Sequence, residues 1–331
     1  MSYASWTSSP RPGSQRWGTS VLVFAASDKG GTGRSVTSCN VVYRSALAGA
    51  EVCYLDFDFG SPTAGSIFQI VDAARGVREG GGLHSYLMEQ DPHAAVEEPR
   101  RIDVWNRSAR ASLRHRPPGS GQLMLFPGDQ DGGEFRPDKE ALRRCVRLLL
   151  ALDEEFDMCL VDLSAGRSYA TQLVLEATAD PALHGVVARW LVFHRWTRQH
   201  IPAAAGLVYG KDGILDVGER AGHDRELLAA SIRFVRTAVV DPDSAELRGL
   251  RPAQVAWLRD CDQDLRRLAA RHRVGRLALL GSVPLDPVLQ WREQLLSDND
   301  VVARDIANLA TVAAFDDLAR SLVDDEMWAA T

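Results

Sequence analysis

At 331 residues, 45% hydrophobic and 25% charged, the chain has room for one large or two modest soluble domains with a sizeable core. A formal net charge of -6 argues against non-specific nucleic-acid binding by the whole surface. The longest apolar stretches are broken by Arg or Asp well short of the ~20 residues of a membrane span, and residues 1–18 lack an apolar signal core, so no membrane association and a cytoplasmic location are expected.

In chain order, residues 1–18 are rich in Ser, Pro, Gly and Arg without periodicity and read as a disordered tail. An apolar run over 21–26 predicts a buried strand, and the stretch 29–35, KGGTGRS, predicts a glycine-rich turn before a helix over 36–50. Gly30, Gly31 and Gly33 can take backbone angles closed to other residues. Successive amides can then face an anion at the positive end of the helix dipole. Residues 51–58 read as a second strand, with Asp56 and Asp58 on one side of its carboxyl end. Residues 68–118 are irregular apart from a short helix over 83–88, and 107–121 is a basic loop. Its arginines, Arg107, Arg110, Arg114 and Arg116, mark either solvation or a contact for DNA or an acidic partner.

Further along, a strand is predicted over 122–127, a helix over 140–156 and a strand ending at Asp162, with Gly166 close behind. A strand over 190–194 is followed by a helix over 195–209, with Arg195, Trp196 and Arg198 as a candidate partner surface. Residues 211–225 read as a loop, 231–240 as a strand, 251–273 as a long helix, 277–284 as the last strand and 307–323 as a closing helix. Five widely spaced cysteines with no C-x-x-C pair read as core thiols in a reducing compartment, and His194 and His200 have no third ligand at metal spacing. Basic residues are almost all arginine. The lysines are Lys29, Lys139 and Lys211, which singles out an ammonium kept inside the glycine loop.

The pattern K-G-G-x-G-[KR]-[ST] of residues 29–35 resembles the deviant Walker A of the ParA/MinD family of nucleotide-switched dimeric ATPases. LDFDFGSP resembles the family's switch I, the strand ending in Asp162 with Gly166 its Walker B to switch II segment, and GSVPLDP its adenine-side turn. Among relatives, the chain resembles most the actinobacterial variant-P-loop proteins. The resemblance implies one α/β P-loop NTPase domain over 19–326, a mostly parallel twisted sheet with helices on both faces, and a short tail at 327–331.

It further implies ATP or ADP with Mg2+ as cofactors. Gly30, Gly31, Thr32, Gly33, Arg34, Ser35, Val36 and Gly166 would hold the phosphates, and Pro284, Leu285 and Asp286 the base. Ser35, Asp58 and Asp162 would serve the metal, Asp58 the attacking water, and Lys29 would reach the nucleotide of a second copy in a nucleotide-dependent homodimer. That dimer would bind an unidentified protein partner. DNA is a further candidate that the net charge does not support. Arg34 stands where the usual lysine would be, and its planar fork differs from an ammonium as a phosphate ligand. Two functions follow, a slow ATPase switch or a non-hydrolysing nucleotide-stabilised scaffold. An amidoligase of the same superfamily lacks a second substrate motif.

Overall fold

The computed structural model describes residues 19–329 apart from 79–80, 89–97, 115, 243, 245–246 and 248, so the expectations for residues 1–18 and for the end of the chain at 330–331 lie outside the described residues. Eight strands form one sheet: β1 (Val21–Ala26), β2 (Val52–Phe57), β3 (Ile102–Asp103), β4 (Leu123–Phe126), β5 (Met158–Leu163), β6 (Val187–Arg195), β7 (Ile232–Val239) and β8 (Leu279–Pro284). Their order is β3-β4-β2-β5-β1-β6-β7-β8. Every pairing is parallel except that of β3 with β4.

The central strands read as continuous apolar runs because both of their faces are covered. In β1, Leu22, Phe24 and Ala26 join one core, while Val21, Val23 and Ala25 join the other. The first core lies under the helices Lys139–Glu155, Tyr169–Thr178 and His200–Tyr209, and the second under α1 (Arg34–Leu47) and the helix Leu309–Val323. Period two in the strands thus feeds two layers of helices from one sheet, as the sequence predicts. The two-residue β3 was not expected. It closes one sheet edge with an antiparallel pair too short to offer a long free ladder.

Other expectations change. The stretch 211–225 is not a loop but carries the helix Ile214–Ala221, whose flanking glycines are its ends: Gly213 is the N-cap, and Gly222 at φ 112° closes it. The helix expected over 195–209 begins only at His200, since β6 runs on through Arg195. No helix among the described residues is long and apolar enough to cross a membrane.

The arginines of the basic loop bond to the protein itself, Arg110 nearly buried and Arg107, Arg114 and Arg116 at the surface. Arg110 pairs with Asp300 and donates to the Leu295 carbonyl at 2.5 Å, stapling the loop to the segment before the last helix. Arg107 pairs with Asp72, Arg114 bonds the carbonyls of Ser108 and Ala109, and Arg116 bonds that of Ser120. The Asp300 side chain is 1% exposed and the Arg107 side chain 56%. Breaking the buried pair by Arg110→Ala is therefore expected to cost about 3 kcal/mol. Arg107→Ala should cost less than about 1 kcal/mol. Urea unfolding of the two variants separates these outcomes, and equal losses would mean that the Arg110 pair does not staple the loop.

Candidate functional site

The site grows out of the turn between β1 and α1. Gly31 at φ 70° and Gly33 at φ 77° occupy left-handed backbone that a side chain would strain, and Gly33 is the N-cap of α1. No acidic residue stands in the first turn of this helix, so its positive pole is left for whatever the loop faces. The loop is anchored from behind by the Thr237 hydroxyl, which donates to the Thr32 carbonyl at 2.5 Å. Beside it opens a cavity of about 210 Å³. Gly31, Thr32, Gly33, Val36 and Thr37 form one wall, and Arg195, Thr237, Pro284, Asp286, Leu289 and Gln290 are among the residues that form the other. This cavity lies at the carboxyl edge of a parallel sheet, where such folds place their ligands.

Of the base-side candidates, Pro284 and Asp286 line the cavity. Leu285 ties the turn to β7 through its amide, which donates to Val239 at 2.9 Å. The Asp286 carboxylate is consumed by main chain: it caps the helix Pro287–Trp291 through the Val288 amide at 3.1 Å and accepts from the Asn308 amide at 2.9 Å. It shapes the wall, and its charge is already satisfied.

Asp56, Asp58 and Asp162 converge because β2 and β5 are neighbours with Asp56 opposite Asp162. Between them lies Arg34. Its Nε donates to Asp162 Oδ1, its Nη2 to Asp58 Oδ2 at 3.1 Å and its Nη1 to the Ser27 hydroxyl at 3.3 Å. The Arg34 side chain is 6% exposed, Asp162 1% and Asp58 23%. Burial works against the guanidinium charge, but Asp162 and Asp58 outweigh it and raise the Arg34 pKa above its ordinary value. Burial raises Asp58, opposed by Arg34. The second Asp162 oxygen accepts from the Tyr54 hydroxyl at 2.6 Å. Asp56 accepts the Thr63 and Ala64 amides through Oδ2, both at 3.0 Å, while its buried Oδ1 has no partner among the described residues. Burial, then the nearby Asp162 charge, pushes the Asp56 carboxyl up to about 8.

This donor set does not fit a divalent cation. Asp58 and Asp162 each give an oxygen to the guanidinium, Asp162 gives its other to a phenol, and among the described residues no three His, Cys, Asp or Glu side chains converge on a metal position. Ser35, at the start of α1, is partly exposed. Gly166 at φ 80° comes beside the loop as expected, but its amide donates to the Ser27 carbonyl at 2.7 Å. Lys29 and Gly30 are exposed.

The sequence reading missed Tyr54 and Ser27. Tyr54 was legible in principle, since period two puts it on the face that carries Asp56. Arg195, taken for a partner surface, instead lines the cavity and donates to Gln290 at 3.3 Å. His194 is buried, with its pKa pushed down to about 4, first by desolvation, so it is neutral there.

No protein-family model matches the chain. A curated relative, the cytosolic Fe-S cluster assembly factor cfd1 of Neurospora crassa, is 30% identical over 149 residues, 44% of this chain. The match spans 42% of the length of that relative. Among solved structures, the chain is similar to the MinC:MinD cell division protein complex of Aquifex aeolicus, with 16% identity, 92% of this chain and 95% of that one covered, and a TM-score of 0.54. It is also similar to the McdA–ATP complex of Cyanothece, with 13% identity, 92% and 96% covered, and a TM-score of 0.52. For a ParA family ATPase of Chlorobium tepidum the values are 13% identity, 90% and 98% covered, and a TM-score of 0.50. The chain has the α/β fold of the MinD and ParA P-loop ATPases.

The raised Asp56 carboxyl has a pH signature. Between its ordinary value of 3.8 and about 8, the native state keeps a proton that the unfolded chain has lost, so rising pH favours unfolding. The slope approaches about 1 kcal/mol per pH unit within that window. In Asp56→Asn this component should vanish, and urea unfolding at several pH values would show the wild type losing stability relative to the variant as the pH rises toward about 8. Parallel curves would mean that Asp56 is ionised in the native protein.

Proposed function

We propose that this chain is a nucleotide-binding protein of MinD/ParA type, in which ATP or ADP sits in the cavity beside the 27–33 turn and sets how the chain pairs with a second copy and with a protein partner. The observation that carries the reading is the turn itself: left-handed Gly31 and Gly33 lead into the uncompensated N-terminus of a 14-residue helix at the carboxyl edge of a parallel sheet. In this reading the amides of residues 30–36 grip the phosphates, and Pro284, Leu285 and Asp286 form the base wall. Exposed Lys29 is the residue that reaches a second copy's nucleotide. The McdA relative is an ATP complex and the MinD relative a complex with MinC, which supports a nucleotide and a protein partner as the classes of ligand.

Of the two functions left open by the sequence, the contacts of Arg34 favour the non-hydrolysing one. Asp162 would support a metal only with a free oxygen, and both of its oxygens are engaged, by Arg34 and Tyr54, while Asp58 gives Oδ2 to the guanidinium and keeps only Oδ1 for a water. The Gly166 amide, expected at the terminal phosphate, bonds Ser27. The iron–sulfur assembly role of cfd1 gains no support from the cysteines, since Cys39, Cys53, Cys145 and Cys159 are buried and Cys261 alone is partly exposed. The basic loop offers DNA little, because the arginines of residues 107–116 make internal bonds.

Thermal unfolding and phosphate release, measured together, test the reading. A saturating nucleotide at about 100 times its dissociation constant should stabilise the fold by about 2.7 kcal/mol, a shift of several degrees. Phosphate release should be at background and unchanged in Asp58→Ala. Absence of any ATP or ADP shift would remove the nucleotide reading, and turnover that falls about tenfold or more in Asp58→Ala would restore the ATPase.

A further inference from the structure

We infer that Arg34 is the resident counter-ion of the acidic cluster, occupying by charge and by hydrogen bonding the place where a divalent metal would otherwise be held, so that nucleotide binding by this chain is independent of Mg2+. The inference rests on the nucleotide reading above and says which ligand form the site takes: the free nucleotide, with no protein-bound metal.

The geometry carries it. Asp162 lies in β5 and Asp58 directly follows its neighbour β2, and a guanidinium has a planar fork of donors that can bond both carboxylates at once, which an ammonium on a shorter reach does less well. The third arm reaches the Ser27 hydroxyl, so each outer nitrogen and Nε has an acceptor. Asp162 is closed from its other side by the Tyr54 hydroxyl at 2.6 Å. A cation arriving here would have to displace two charge-assisted bonds from a nearly buried side chain. It would also sit against a permanent positive charge on the first residue of α1, at the positive pole of that helix. The remaining carboxyl, Asp56, gives Oδ2 to the Thr63 and Ala64 amides, which leaves its Oδ1 alone without a bond among the described residues. A lysine at position 34 would satisfy one carboxylate and release the other, so the identity of this residue decides whether the cluster is a metal site or an ion-pair network.

The experiment uses the full chain and has two arms. In the first, Mn2+ alone is titrated into the wild-type protein and into Arg34→Lys and Arg34→Ala, with bound metal read by electron paramagnetic resonance. Wild type should bind no stoichiometric Mn2+ below millimolar concentration, while a variant at position 34 should gain about tenfold or more in affinity. A stoichiometric sub-millimolar Mn2+ site in the wild type, abolished by Asp162→Asn, would overturn the inference. In the second arm, a fluorescent methylanthraniloyl ATP is titrated in EDTA and in Mg2+. The wild-type affinities should agree within about twofold, and a tenfold gain with Mg2+ would mean that Arg34 yields the carboxylates on binding and would overturn the inference. If the analogue binds under neither condition, the nucleotide reading fails while the Mn2+ arm still decides the role of Arg34. If the Arg34 variants do not fold, the two wild-type titrations decide it alone.

Discussion

The site depends on how one guanidinium is shared between two carboxylates. Arg34 leaves the glycine turn at the first position of α1 and, instead of following the helix axis toward the cavity, folds under the turn to reach Asp162 on β5 and Asp58 just after β2. Each element of this contact lowers the cost of the others. A buried carboxylate pair on neighbouring strands would repel itself, and a buried arginine would be strongly disfavoured alone, so the three charges are tolerable only as a set. The set also fixes the shape of the turn above it, because the residue after the N-cap glycine is tethered from below.

Much of the fold was legible from apolar runs and their punctuation. The strands β1, β2, β4, β5 and β6 stand out where both faces are buried, and β7 and β8 were found in the same way. What escaped was short or locally ambiguous. The two-residue β3 has no periodicity to read, and the helix Ile214–Ala221 is bracketed by glycines that look like loop markers until Gly213 and Gly222 are seen as its caps. The helix Tyr169–Thr178, announced only by the Ser168 cap, drew no expectation either.

The site was legible as a set of positions and less so as a set of directions. Spacing placed the turn, Asp56, Asp58, Asp162, Gly166 and the 284–286 turn along one sheet edge, because strand ends and parallel order dictate it. Spacing says nothing about where a long side chain points or which main-chain groups claim a carboxylate. Arg34 was read toward the phosphates and lies toward the acids; Asp286 was read toward a base and is held by two amides. In the basic loop, charge density alone suggested a surface, whereas Arg110 finds Asp300 across 190 residues of sequence, a pairing that no local pattern reveals.

The bond from the Gly166 amide to the Ser27 carbonyl joins the segment after β5 to the segment after β1, across the strand boundary that the ion cluster spans from beneath. These two loops are therefore tied at this point, and a movement of one that keeps the bond carries the other with it. A guest that draws the β5 loop upward would drag Ser27 with it, loosen the third arm of the guanidinium, and so convert a displacement at one loop into a change of charge pairing a full strand away.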